Sequence, residues 1–494
     1  MIFLGLDIGS SSCKCVAFSE SGASLAESSM EYPTHLGKSL SDAENLFSYV
    51  SSVISACASK VSSRDAIASI TVVSFGESFI PVDKNGGALA SIGMYTEGSG
   101  IEEVEFLRRE LPSIPQISGV SPNPLYALPR MMRLIRTQPE ITDKLWKFLQ
   151  IADYVIFRLC GQAVLDYSLA CRSMAFDITD LRWSEDILSV SGLDSGMLSD
   201  TVPAGAVAGE IHKSVAQQLG VPLGTKIVVG AHDQVSAATG TGALVTGDAV
   251  VGTGTVECII PIFDGIITDP SFAEQNYVCI PHAVPEKYVT YAFTISGGSL
   301  LAWYRDHIVP HLKPVAQEKN CSVYDLLNDS FPHDSTPVIT IPHFGGTGTP
   351  ELKSSAFGTI SGLSLDTGLP EIYRAILEGL CFEMCYNREQ IRRFDITFSS
   401  LRATGGGARS SQWLQLKSDI LGIPVSSLEI TDSGAVGGAM MAAVSLGAFK
   451  SLSEAAEVFV KIKKTFMPDS DKSSYYTEKY QRYKYLRQAS LNSF

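Results

Sequence analysis

Residues 2–8 form an apolar run closed by glycine and serine, a pattern that predicts a buried strand. Lys14 to Ser19 reads as a second strand and Ser21-Gly22 as the turn into a third. From Asp42 to Val61 the apolar positions recur at helical spacing, and 67–74 returns to a strand. Asp83, Asn85, Gly86 and Gly87 make a turn. Helical spacing comes back over 101–111 and 127–138, and a strand at 226–230 leads through His232-Asp233 into a helix from Gln234.

The second half restarts the pattern. Residues 248–253 predict a strand, Gly252-Thr253-Gly254-Thr255 a turn, and 256–262 the partner strand. A strand at 338–341, a long helix over 370–393 and a strand ending near Ala403 follow. After Gly405-Gly406-Gly407 come helices at 410–421, 434–446 and 452–461, and the polar stretch 473–490 reads as a surface helix. Each half thus opens strand, small-residue turn, strand. The expected architecture is two related α/β domains, 1–244 and 245–494.

Length and composition narrow the classes. With 494 residues and 45% hydrophobic content, each half can bury a full core, and disorder is excluded as the main state. Net charge is −14 and no basic run occurs, which argues against a nucleic-acid partner. The ten cysteines form no CxxC pair and are sparse, so they read as reduced thiols of a cytoplasmic protein. The first residues lack a basic region and meet Asp7 at once, unlike a secretory leader. The apolar stretch 439–449 is too short to cross a bilayer.

Four segments could carry chemistry. Asp7 leaves the end of a buried strand, followed by Gly9, Ser10, Ser11, Ser12 and Lys14. Glycine admits phosphate oxygens to the backbone, serines donate to them, and lysine adds a compact charge. Asp7 could hold a hydrated Mg²⁺, which uses few carboxylates. A serine-rich hairpin turn after an edge strand explains the same letters. Gly252 to Thr255 is either a second phosphate turn or a tight hairpin. Gly405-Gly406-Gly407 leaves a loop bare of side chains before a helix, which suits a flat adenine or ribose, and Gly407 is expected to face it with a backbone φ that valine tolerates poorly. A tight strand-to-helix turn is the plain alternative. Asp233, at the carboxyl end of a strand and beside an amide, suits a general base. His232 reads first as a packed, hydrogen-bonded histidine. GxGxxG, HExxH and GxSxG are all absent, which disfavours Rossmann, zinc-protease and serine-hydrolase chemistry.

In this order the segments resemble the FGGY family of carbohydrate kinases, in the larger group of actin, hexokinase and the heat-shock ATPases. The resemblance runs over essentially the whole chain. It rests on Asp7-Ile8-Gly9-Ser10-Ser11-Ser12, Gly230-Ala231-His232-Asp233-Gln234 and Gly406-Gly407-Ala408-Arg409-Ser410-Ser411-Gln412-Trp413. Tyr373 to Gly379 and Ser418 to Val425 add to it.

The resemblance implies two ribonuclease-H-like domains, each with a mixed central sheet, and an active-site cleft between them. It implies transfer of a phosphoryl group from Mg²⁺-bound ATP to a hydroxyl of a small carbohydrate, with Asp233 as catalytic base. Asp7, Ser10, Ser11, Ser12 and Lys14 match the first phosphate loop, and Thr253 and Gly254 the second. Gly297 and Gly298 match the nucleotide-side turn, and Gly406, Gly407, Ala408 and Ser411 the adenosine loop. Asp7 and Asp233 are the implied metal ligands. Gly76, Glu77, Tyr126, Asp233 and Gln234 fall on the sugar side.

That side departs from the family's pattern. Met94 to Gly100 lacks the Trp and Arg of a Trp-x-Asp-x-Arg segment, and Arg130 stands where a Lys is usual. Glu77 falls where xylulose-specific members have His and glycerol-specific members Glu; a solvated turn residue is its plain reading. A pentulose such as xylulose is the first expected substrate, another sugar or a glycerol-like polyol the second. A non-catalytic actin-like ATP-binding protein would not need Asp233, and a phosphohydrolase would release ADP without sugar. The expected partners are the small-molecule substrate and, as the assembly to test, a second copy of the chain; no nucleic acid and no membrane.

Overall fold

A computed structural model describes residues 1–33, 42–332 and 334–492. The opening strand Ile2–Ile8 is apolar throughout except for Asp7, because it lies inside a six-stranded sheet and not at its edge. Its neighbours are Ile67–Ser74, parallel, and Ser12–Ser19, antiparallel. Lys226–His232 joins beyond Ile67–Ser74, again parallel, while Ser24–Glu31 and Val207–Glu210 form the two edges. Helix Ala43–Lys60, capped by the Asp42 carboxylate 2.8 Å from the Asn45 amide, covers the hairpin strands with Leu46, Val50, Val53 and Ile54.

The second sheet repeats this plan. Ala249–Thr253 lies between its antiparallel partner Glu257–Asp264 and the parallel strand Leu401–Gly405. Val425–Leu428 and Ile462–Phe466 extend it on one side, and Lys287–Val289 and Ala292–Thr294 pair with Glu257–Asp264 on the other. Both halves therefore carry a mixed sheet centred on a hairpin, as the sequence pattern predicts.

Two helices join the halves. Asp233–Gly240, which continues from the first sheet, packs against Ser433–Ser445 from the far end of the chain. The latter also lies on the strands Ile2–Ile8 and Ile67–Ser74, so residues 433–445 sit on the first sheet although the sequence places them in the second half. Small residues permit the approach, and the Ser236 hydroxyl donates to the Gly434 carbonyl at 2.8 Å.

One sequence expectation needs correction. The polar C-terminal stretch forms the helix Ser470–Asn492, but it is not simply a surface helix. Tyr476, Tyr480, Tyr483, Lys479 and Arg487 are buried against the long helix Leu369–Ile391. Lys479 pairs with Glu378, and Tyr476 donates to the same carboxylate at 2.9 Å. Arg487 binds Glu383 at 2.8 Å and Glu351 at 2.7 Å. Polar letters read as solvent-facing because burying a charge is costly; here each buried charge meets an opposite one.

Candidate active site

Three parallel strands end side by side, and each delivers a carboxylate at its carboxyl end. Asp7 lies in register with Val73, and His232 with Ser74, so Asp7, Glu77 and Asp233 converge on one rim of the first sheet. Crevices outside the carboxyl ends of such strands are the usual binding places of α/β folds.

Asp233 opens its helix and is partly exposed. Burial, then the neighbouring carboxylates of Asp7 and Glu77, push its pKa up to about 7. Burial and Asp432 raise Asp7 to about 6. His232 is buried; its Nδ1 lies 2.8 Å from the Tyr291 hydroxyl and its Nε2 3.3 Å from Asp233. Burial and then Arg172 hold its pKa well below the ordinary value, so the ring is neutral. It is the packed, hydrogen-bonded histidine the sequence suggests.

Glu77 is no solvated turn residue. It is buried, has a left-handed backbone with φ of 66°, and forms an ion pair with Arg172. The Arg172 guanidinium also stands 5.0 Å from the Tyr126 ring and 5.5 Å from the Tyr291 ring. Gly76 passes so close that a Cβ would lie 3.0 Å from Arg172 and 3.1 Å from His232. Gln234 follows Asp233 on the helix and is half-buried. Arg130 does not face the opening: it binds the backbone carbonyls of Glu77, Gly93 at 2.7 Å and Leu125 at 3.0 Å, tying three loops together. Sequence reading missed Arg172 and Tyr291. Neither sits in a glycine-marked turn, and their role comes from contacts across more than 40 residues of chain.

The Gly9–Ser11 turn is a hairpin closed by the Gly9 amide on the Ser12 carbonyl at 2.8 Å. Ser10 and Ser12 are half-buried and Ser11 is exposed. Lys14 pairs with Glu27 and Asp432, both at 2.9 Å. Gly434 abuts Asp7: a Cβ there would be 2.3 Å from its Oδ2.

On the other side of the joining helices, a cavity of about 560 Å³ collects Thr253, Gly254, Gly298, Gly406 and Gly407 with Trp413. Leu301, Ser322, Tyr324, Asp325 and Asn328 also line it and were not singled out by the sequence, whereas Tyr373, Arg409 and Ser410 belong to segments that carry the resemblance. Gly297 packs behind it, where a Cβ would lie 2.6 Å from the Val256 backbone. Ala408 packs on the core instead.

Three details correct the sequence reading. Ser411 is exposed and lines a separate groove, because it is the first helical residue, whereas Ser410 lines the cavity and caps the helix with its hydroxyl 3.3 Å from the Trp413 amide. The left-handed glycine is Gly405, with φ of 78°, not Gly407. Thr253 does not turn its hydroxyl to the tip of its turn: it donates to Glu257 at 2.8 Å and accepts from Lys417 at 3.1 Å.

Gly407 is nonetheless irreplaceable by valine. Its Cβ would stand 2.6 Å from the Thr253 side chain and 2.9 Å from the Trp413 ring. Overpacking of this kind costs about 1–3 kcal/mol, so if the cavity takes ATP, as the resemblance implies, Gly407→Val should weaken ATP binding about 10-fold or more, with sugar binding intact. Calorimetry with each ligand checks this, and equal losses for both would show general misfolding.

Carboxylates gathered at the strand ends of one mixed sheet and a glycine-lined cavity at the strand ends of the other mark a two-domain α/β phosphotransferase. The chain belongs to the FGGY family of carbohydrate kinases: the N-terminal domain of that family matches residues 2–240 and the C-terminal domain residues 249–446. It is 26% identical to a xylulose kinase of Bacillus subtilis over 99% of this chain and 98% of the relative. It is 27% identical to an autoinducer-2 kinase of Klebsiella pneumoniae over 96% and 91%. The crystal structure of a ligand-bound xylulose kinase from Lactobacillus acidophilus superposes with a TM-score of 0.88, at 24% identity, over 100% of this chain and 99% of that one. Among the described residues no helix is long and apolar enough to cross a membrane.

Proposed function

We propose that the chain phosphorylates a small polyhydroxylated sugar, with a pentulose such as xylulose as first candidate, working in the cytoplasm. The observation that carries this is Asp233, raised toward neutrality beside the buried Glu77–Arg172 pair, in a chain whose second sheet carries a glycine-lined cavity. In this reading residues 1–244 hold the sugar and 245–494 the nucleotide. All ten cysteines are free thiols, in keeping with a reducing compartment.

The sugar hydroxyl attacks the γ-phosphorus of ATP, the bond to the β–γ bridging oxygen breaks, and the hydroxyl proton passes to the Asp233 carboxylate. Glu77 and Gln234 accept and donate to the other hydroxyls, and Arg172 and Tyr126 hold Glu77 in place. The exposed tip Gly254-Thr255 and the serines at 10–12 offer donors to phosphate oxygens. Asp7 and Asp233 fit Mg²⁺: the Asp7 charge raises the proton affinity of Asp233, a repulsion that a hydrated cation would relieve, and Mg²⁺ needs only one or two carboxylates. When bound, the ion neutralises phosphate charge.

A panel of xylulose, other ketoses, gluconate and glycerol, scored by ADP release, tests this. The expected result is sugar-dependent release, highest with a pentulose. Release at full rate without any sugar would mean a phosphohydrolase, and none with any sugar would mean a non-catalytic ATP-binding protein.

The base must be ionised to accept a proton. With its pKa raised to about 7, kcat/KM for sugar is expected to fall as pH drops through about 7. Asp7→Asn removes a like charge, so the residual activity of that variant should hold to lower pH. A pH profile flat from 5 to 8 would remove Asp233 as the base.

A further inference from the structure

Beneath the glycine-lined cavity lies a buried ion pair that the reaction scheme does not use. Lys417, on the helix after the glycine loop, meets Glu257, at the start of the strand Glu257–Asp264, at 2.5 Å, and both are essentially inaccessible to solvent. The Lys417 ammonium also lies 3.1 Å from the Thr253 hydroxyl and 3.8 Å from the Trp413 ring centre. The Thr253 hydroxyl donates to the same Glu257 oxygen at 2.8 Å. Glu257 Oε2 is buried with no hydrogen-bond partner among the described residues, so the pair is not present merely to satisfy its own atoms.

A buried ion pair is a poor source of stability, since well-packed apolar residues of similar volume do as well or better. Its geometry here is better explained by position. Thr253 ends the strand that carries the Gly254-Thr255 tip, and Gly407 of the opposite loop packs directly on Thr253 and Trp413. The Gly298 amide docks on the Gly254 carbonyl at 2.8 Å. Three separate chain segments that line the cavity are therefore referred to one threonine, and that threonine is fixed by one charge pair.

We infer that Lys417 and Glu257 are positioning residues for ATP: by locking the Thr253 side chain they fix the phosphate-side turn against the glycine loop, and they set affinity for the phosphates far more than for the adenosine part. This rests on the cavity being the nucleotide site. It assigns Thr253 a backbone and packing role, with its hydroxyl committed inward and not to the phosphates.

The test is calorimetric binding of ATP, ADP and adenosine to the full chain, with sugar kinetics alongside. Lys417→Met should weaken ATP and ADP at least about 10-fold and adenosine less than about 2-fold, and raise KM for ATP with KM for sugar unchanged. Thr253→Val should reproduce that split. If Lys417→Met fails to fold because Glu257 is stranded, the double variant Lys417→Met, Glu257→Leu removes both charges and should fold and show the same split. Unchanged ATP affinity in a folded variant, or equal losses for ATP and adenosine, overturns the inference. If wild-type protein binds ATP but phosphorylates no sugar, the proposed function fails while this binding test still stands.

Discussion

Asp233→Asn is expected to lower turnover at least about 100-fold, the lower range for loss of a general base, with ATP affinity nearly unchanged. Asparagine keeps the shape of the side chain and can still meet the His232 Nε2, 3.3 Å from the present carboxylate. It cannot take a proton. Stability should move the other way. The folded state raises the Asp233 pKa from an unfolded value near 4 to about 7, so the folded chain holds this proton more tightly. Its stabilising contribution is complete below about pH 4, is lost as pH rises through about 7, and is absent at pH 8. The variant should therefore melt higher than wild type at pH 8, and the gain should shrink at pH 5. A fully active, or a destabilised, Asp233→Asn enzyme would refute the assignment.

Glu77→Ala is expected to act twice. It removes the carboxylate from the sugar side, and leaving substrate hydroxyls unpaired in a closed cleft costs about 1–3 kcal/mol. It also strands the Arg172 guanidinium between Tyr126 and Tyr291. Breaking a buried pair by removing one partner costs about 3–5 kcal/mol. Urea unfolding should register that loss, and KM for sugar should rise about 10-fold or more with KM for ATP little changed. Arg172→Ala should show the same stability loss. Unaltered stability in both variants would mean that the pair is not held as described.

The central strands were legible because strands buried on both faces are mostly apolar. Residues 2–8 and 67–74 match the observed Ile2–Ile8 and Ile67–Ser74 to the residue. The turn glycines were legible because tight turns and close packing admit little else: Gly254, Gly298, Gly406 and Gly407 do line one cavity. The C-terminal helix was misjudged in its environment because the sequence of Lys479 and Arg487 does not reveal Glu378 and Glu383, about 100 residues earlier. Ser411 lines a neighbouring groove and Ser410 the cavity, a distinction hidden because the last residue before a helix and the first within it carry the same letter.

The sequence by itself determined the duplicated plan of strand, glycine or serine turn and strand, and the carboxylates Asp7, Glu77 and Asp233 at or just after the ends of three strands of the first half. These depend on neighbours within a few residues, where hydrophobic period and backbone sterics act directly. Only the tertiary structure decided which polar groups face the cleft and which are consumed inside. Lys14 meets Glu27 and Asp432 and Thr253 turns inward to Lys417 and Glu257, while Glu77 stays at the strand-end rim, braced by Arg172. The physical reason is that the free energy of a charge or hydroxyl depends on its burial and on its partner, and both are set by strands and helices packed together from distant parts of the chain.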